Sequence, residues 1–412
     1  MHEFPAISVA PFAALLLSIA VFPLAAPHVW ERKWVQVLVA AILGVPTALW
    51  VATKDPHLVV HAATEYASFI VLLGALFTIS GGIALTGDLK ARPETNVAFL
   101  AAGALLANVI GTTGASMVLI RPVLRTNSQR KHVAHLPLFF ILVVSNVGGM
   151  LTPLGDPPLF LGYLRGVPFF WTLRLAPVWA LSVAALLCIF YLVDMRAFGR
   201  ESKDDRAADS RDRAPLALHG KRNLLLLAAT VGAAFLDAPW REAGMISAAV
   251  LSVAITPKDV RPKNGFTWGP IVEVAILFAG IFATMIPALE FLRARAPGFG
   301  ISEPWHFFWA TGALSSVLDN APTYLAFVSV AQGLEASGGT QILGVPEPLL
   351  VAISVGAVMM GANTYIGNGP NFMVKAIATE QGIETPGFFG YAARALVVML
   401  PIYVVITLLF FI

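Results

Sequence analysis

The sequence predicts an all-α polytopic membrane protein made of two inverted halves, each with five membrane crossings and one re-entrant helical hairpin. Three observations carry this prediction. Of the 412 residues, 57% are hydrophobic and only 12% are charged, about half the charge of a soluble domain at roughly 25%. Apolar stretches long enough to span a bilayer, which takes roughly 20 residues each, fall six and six about a single charged segment. The fourth and fifth stretches of each half are interrupted by glycine, proline and small polar residues.

In the first half, residues 1–194, the stretches run over about 5–26, 34–53, 66–86, 96–124, 136–162 and 171–193. The segment 195–222 is rich in both Lys/Arg and Asp/Glu and reads as a charged cytoplasmic linker. In the second half, residues 223–412, the stretches cover about 223–236, 244–256, 268–289, 307–331, 349–378 and 388–412. The fourth stretch of each half (96–124 and 307–331) reads as a hairpin. The fifth (136–162 and 349–378) reads as a broken helix.

The breaks follow from backbone chemistry. Pro157-Pro158 and the run from Gly367 to Pro370 cannot continue a helix, because proline lacks a donor and clashes with the preceding turn. At membrane depth the freed backbone groups are tolerated only where protein or a water-filled cavity covers them. The stretch 152–158 (TPLGDPP) aligns without a gap on 364–370 (TYIGNGP), and Gly74 and Thr78 match Gly280 and Thr284 at one spacing. These matches indicate an internal duplication.

With the hairpins entering and leaving on one side, each half crosses five times, so the second is inverted. One side then receives most Lys/Arg: Arg32, Lys33, Lys90, Arg92, Arg121, Arg125, Arg130, Lys131, the linker bases, Lys258, Arg261 and Lys263. The other receives Lys54, Arg165, Arg174, Arg241, Arg293 and Arg295. The positive-inside rule makes the first side cytoplasmic. Both termini are expected to be extracytoplasmic, in a cell inner membrane.

Inverted repeats with discontinuous helices are the architecture of secondary transporters. Half-helix N-termini face anions, and unwound carbonyls and C-termini coordinate cations. The site is therefore expected at the four breaks. Its candidate residues are Asn108, Thr112, Thr113, Ser116, Ser145, Asn146, Thr152, Gly155, Asn320, Thr323, Asn363, Thr364, Gly367, Asn368 and Asn371. This hydroxyl, amide and carbonyl set suits a hard cation such as sodium. No cofactor is called for, and sodium and protons are the expected transported or coupling ions.

Two acids lie in the breaks, Asp156 and Asp319. A mid-membrane aspartate costs about 2.5–3.5 kcal/mol on insertion scales, so each calls for a role. As an ion ligand, one carboxylate would serve proton and cation in turn. The plainer role is to cap a half-helix, for which Asp is well suited.

Glu65 and Glu273 open the third stretch of each half. They could be proton relays, although an acid at a span end more commonly pairs with a loop base. Arg394 is expected to neutralise a buried acid or reach a carbonyl, and Lys375 to snorkel; a role in substrate binding is the alternative for either. His57, His61 and Glu65 share a helical spacing that starts in an expected loop, where a surface patch is favoured over a metal site. His132 and His135 beside Arg130-Lys131 read as a contact for anionic lipid. No His-Glu-x-x-His, Gly-x-Ser-x-Gly or paired intramembrane histidine supports an enzyme.

Taken in order, the hairpin tip, Ser145-Asn146 before a Gly-Asp-Pro-Pro break, the charged linker, the Asp319-Asn320 hairpin and the Asn363-Thr364 break resemble the ion transporter superfamily. That group includes NhaD-type sodium/proton antiporters, arsenite carriers, and citrate and dicarboxylate carriers. The resemblance implies a scaffold from the first three units of each half. It also implies a mobile transport domain from the hairpins, broken helices and sixth units, with alternating access and often a homodimer. The carboxylate carriers are marked by Ser-Asn-Thr at both tips, whereas these tips read from Gly111 to Gly114 and from Asp319 to Pro322. A fixed acid beside a carboxylate substrate repels it unless cations screen both. The expectation is therefore sodium/proton antiport, with sodium- or proton-coupled citrate or dicarboxylate transport as the alternative.

Overall fold

The computed structural model describes residues 4–202, 215–334 and 340–412. It is an all-α polytopic membrane protein, with seven helices among the described residues long and apolar enough to cross a bilayer. Residues 203–214 of the predicted linker lie outside the described residues.

The first half opens with α1 (Ala10–Ala25), α2 (Lys33–Ala52) and α3 (Pro56–Gly81). The start of α3 lies a turn or more earlier than expected. Asp55 caps it by accepting from the His57 N–H at 2.9 Å, and Pro56 takes the first helical position, where its missing donor costs nothing. His57 and His61 therefore sit on a helix, not in a loop.

A three-residue strand, β1 (Ala84–Thr86), follows. Next comes α4 (Pro93–Thr126), broken at Gly111, whose φ of 76° is left-handed and available to glycine at little cost. The chain reverses there: a Cβ on Gly103 would lie 3.2 Å from the Leu119 side chain, eight residues beyond the break. The broken helix follows as α5 (Leu136–Val143), a 3₁₀ turn (Val147–Leu151) and α6 (Pro157–Leu164). A long α7 (Ala176–Gly199) ends the half.

The second half repeats this order. Before it, within the linker, strand β2 (Ala217–His219) pairs antiparallel with β1, so the end of the linker is tied to the first half. Helices α8 (Arg222–Ala233) and α9 (Trp240–Ile255) are shorter than their counterparts. They lead into α10 (Gly269–Arg295). The second hairpin is α11 (Pro304–Ser315) and α12 (Asn320–Gln332), with the Phe307 and Phe327 rings in edge contact at 6.4 Å. The second broken helix is α13 (Glu347–Met360), a 3₁₀ turn (Gly361–Asn363) and α14 (Gly369–Glu380). The last span is α15 (Phe388–Ile406).

The halves interlock reciprocally: α2 packs on α10, and α9 packs on α3. At the α2–α10 crossing a Cβ on Gly44 would lie 3.3 Å from the Gly280 Cα, the close approach that small residues permit between membrane helices.

A buried polar network closes the base of the first hairpin. Asn96 and Asn127, near its two ends, exchange amide hydrogen bonds at 2.9 and 2.7 Å. Asp194 on α7 accepts from Asn96 Nδ2 at 2.8 Å and from Arg130 Nη2 at 2.5 Å, and contacts His135 Nε2 at 3.0 Å. Glu201 accepts the Lys131 and His132 backbone N–H groups at 3.2 and 2.9 Å. This corrects the lipid-contact reading of Arg130 and His135: Arg130 is 6% exposed and bonded inward. An Asp194→Ala substitution removes the hydrogen-bonded partner of Arg130 and leaves only Glu201, 3.8 Å from its Nε, so it is expected to cost about 3 kcal/mol, the lower end for breaking a buried pair. Thermal unfolding in detergent checks this, with Asp194→Asn expected to lose less.

Candidate functional site

The four breaks meet at one carboxylate. Asp156 stands at the N-cap of α6 but makes no capping bond, and its carboxylate faces inward at 1% exposure. Thr112 Oγ1 donates to Asp156 Oδ1 at 3.1 Å. Asn320 Nδ2 donates to Asp156 Oδ2 at 2.6 Å, and Asn368 Nδ2 donates to Oδ1 at 2.9 Å. The acceptor and its three donors thus come one from each break. All four side chains are buried.

Matched backbone contacts hold each hairpin against its broken helix. Thr112 N–H donates to Gly155 O at 2.8 Å, and Asn320 N–H donates to Gly367 O at 3.2 Å. Thr152 Oγ1 donates to Asn108 O, and Thr364 Oγ1 donates to Ser316 O, both at 2.6 Å. Asn108 braces further, donating to Gly148 O at 2.7 Å and accepting from Leu151 N–H at 2.8 Å. Asn363 donates to Ser316 Oγ at 2.9 Å. These pairs set Asp156 opposite Asn368, Thr112 opposite Asn320 and Gly155 opposite Gly367. One half thus contributes an acid where the other contributes its amide.

A further layer lies behind this carboxylate. Asn146 Nδ2 donates to Asn371 Oδ1 at 2.7 Å, and Ser116 and Ser145 share a hydroxyl contact at 2.8 Å. Asn368 Nδ2 also approaches Asn146 Oδ1 and Ser145 O, both at 3.1 Å. With only two hydrogens, that amide is shared among three acceptors.

The electrostatics have two parts. Four half-helices begin at the cluster: the second arm of α4, α12, α6 and α14. Their N-termini carry the positive ends of the helix dipoles, while their first-turn N–H groups are largely engaged by neighbouring oxygens, as at Thr112, Asn320 and Ala321, or replaced by proline. Among the described residues, no Lys or Arg side chain joins the hydrogen bonds of Asp156. Meanwhile Asn320 Oδ1 is buried with no hydrogen-bond partner, next to the carboxylate that its own Nδ2 contacts. An orphaned acceptor beside a carboxylate is the donor set a hard cation takes.

Other residues singled out from sequence lie outside this cluster. Asp319 caps α12, accepting the Ala321 N–H at 3.0 Å, and holds the position that Gly111 holds on the first hairpin. Thr323 bonds its own helix at Asp319 O, 2.9 Å away. Thr113 is half-buried and makes no side-chain hydrogen bond among the described residues. Glu65 is held by Arg165 through two 3.0 Å bonds, and Glu273 accepts from Gln36 Nε2 at 3.0 Å. Arg394 is exposed on α15, so it does not neutralise a buried acid as its place in the sequence suggested.

Two participants were not anticipated. Ser316 takes the place of Asn108 in the second half, and the signal was its spacing, four residues before Asn320 as Asn108 is before Thr112. Tyr403 on α15 donates to Asn363 Oδ1 at 2.8 Å, a contact between distant segments that no local pattern announces.

No curated protein matches the chain. A family model does match, over residues 1–411, and its description reads "Putative citrate transport". With nearly every residue covered, the chain belongs to that citrate-transport family.

Proposed function

We propose that this protein is a secondary transporter that carries citrate or a related carboxylate together with sodium or protons, by alternating access at the four-break cluster. The observation that carries this reading is the cluster itself: four helix N-termini converge on a buried site that already holds one carboxylate and an orphaned amide oxygen. The helix ends favour the substrate's carboxylates. Asp156 would oppose them, so a cation or proton at Asp156 and Asn320 must accompany the anion. Coupling then follows from charge balance, without a dedicated base.

This reading takes residues 1–194 and 223–412 as inverted repeats joined by the linker 195–222, with ten crossings and two hairpins. The reciprocal packing of α2 on α10 and α9 on α3 supports it, as do the paired backbone contacts of the breaks. The tally of basic residues supports a cytoplasmic linker and extracytoplasmic termini. A homodimer is the assembly we expect.

The test is uptake of radiolabelled citrate by proteoliposomes under an imposed sodium or proton gradient. Gradient-driven uptake above protein-free vesicles is expected. Sodium-evoked proton movement without citrate, and no citrate uptake under either gradient, would instead indicate sodium/proton antiport at Asp156.

A further inference from the structure

The helix N-termini of the central cluster supply partial positive charge, but among the described residues no Lys or Arg side chain hydrogen-bonds at it, so a full positive charge for a polyanion must come from elsewhere. On the helices that carry the breaks, the described Lys and Arg side chains are Arg121 and Arg125 on α4 and Lys375 on α14. Arg121 is committed to Asn264 O at 2.9 Å and to Glu380 at 3.7 Å, and Arg125 to Leu85 O at 3.1 Å. Lys375 has no carboxylate partner among the described residues. Its ammonium lies 4.5 Å from the centre of the Tyr365 ring, and Tyr365 belongs to the same break as Asn368.

A second cation lies on the neighbouring helix. Tyr365 packs against Tyr391 of α15 with ring centroids 4.1 Å apart, and its hydroxyl donates to Pro386 O at 3.1 Å. Arg394 stands one helical turn beyond Tyr391. It is exposed and without an ion-pair partner among the described residues. Arg394 also stands about 9 Å along α15 from Phe388, at 1.5 Å per residue. An uncompensated guanidinium that far into a span is costly unless water or an anion reaches it.

We propose that Lys375, over the Tyr365 ring, and Arg394, one turn beyond the Tyr391 ring that packs on it, form a docking site for the carboxylates of a di- or tricarboxylate substrate beside the break that carries Asn368. The guanidinium offers two parallel N–H groups to one carboxylate, the ammonium offers a point charge to another, and the Tyr365 ring supplies an apolar floor for the carbon chain. The site rests on the citrate reading. It adds a selectivity that the central cluster lacks: a preference for ligands with at least two carboxylates. It lies on one side of the break only, because α14 leaves the break toward one membrane face.

The test is initial-rate citrate uptake from each face of proteoliposomes made from zwitterionic lipid, with and without phosphatidylglycerol. Proteins compared are wild type, Lys375→Gln, Arg394→Gln, Lys375→Arg and Arg394→Lys, each first checked for a monodisperse elution profile. Each glutamine variant should raise KM about tenfold from the face bearing the site, the scale of losing one charge-assisted bond. The maximal rate from that face and KM from the opposite face should hold, while the maximal rate from the opposite face falls by the same factor, since no variant alters the transport equilibrium. The Lys375→Arg and Arg394→Lys proteins should recover most of the affinity. Unchanged KM, an equal rise from both faces, or a defect cured by phosphatidylglycerol would overturn the proposal, the last assigning the pair to lipid headgroups. A wild type inert to citrate would instead overturn the transport reading, and this site with it.

Discussion

A methyl group added at Gly155 or Gly367 is expected to abolish transport. A Cβ on Gly155 would overlap the Gly149 carbonyl oxygen, and one on Gly367 would lie 2.5 Å from Gly361 O and 2.7 Å from Ser315 O. These neighbours are backbone and cannot rotate away. Overpacking a core costs about 1–3 kcal/mol where side chains can yield, so a rigid backbone neighbour sets the upper end of that range. Relief requires the broken helix to part from its hairpin, which moves Asp156 or Asn368 out of register. A displacement of about 1 Å at a reacting centre can cost roughly 100-fold in rate, and a comparable loss of uptake is expected here. Gly369→Ala is the control: nothing lies within 4 Å of its added Cβ, so uptake should stay near wild type. Citrate uptake read beside thermal unfolding separates a displaced site from an unfolded protein.

The second large effect is that of Asp156→Asn. This substitution keeps the shape and removes the charge that Thr112, Asn320 and Asn368 all address. Gradient-driven uptake should fall at least about 100-fold, the equivalent of roughly 3 kcal/mol of cation-binding energy. The neutral amide no longer opposes an anion, however, so citrate binding without cation should be retained or improved. Loss of coupling with retained binding distinguishes removal of a ligand from collapse of the site. Asp319→Asn should act more weakly. That carboxylate caps α12, and a cap replaced by another good capping residue costs only a few tenths of a kcal/mol.

The breaks were legible in the sequence because glycine and proline at membrane depth have few permitted settings. Gly111, Pro157-Pro158, Pro322 and Pro370 located all four, and the gapless alignment of 152–158 on 364–370 already set Asp156 opposite Asn368. That alignment could not disclose that the two residues touch, because contact between repeats depends on how the halves interlock. The start of α3 was misplaced although its Asp55-Pro56 cap is a local signal; the apolar run, which begins later, was followed instead. The β1–β2 pair joins a three-residue strand of the first half to one in the linker, both too short for any alternation to show. The Arg130–Asp194–Glu201 network escaped because a cluster of bases in a loop looks the same whether it faces lipid or folds inward on acids from another helix.

The claim on which the account turns is that Asp156 couples the cation to the anion. Calorimetric titration of the purified protein with citrate, with and without saturating sodium and at two pH values, tests it most directly. Linkage requires that a cation which tightens citrate is itself tightened by citrate by the same factor. In wild type, sodium or added protons should lower the citrate Kd at least about tenfold; in Asp156→Asn neither should change it. An equal cation effect in both proteins would contradict the account.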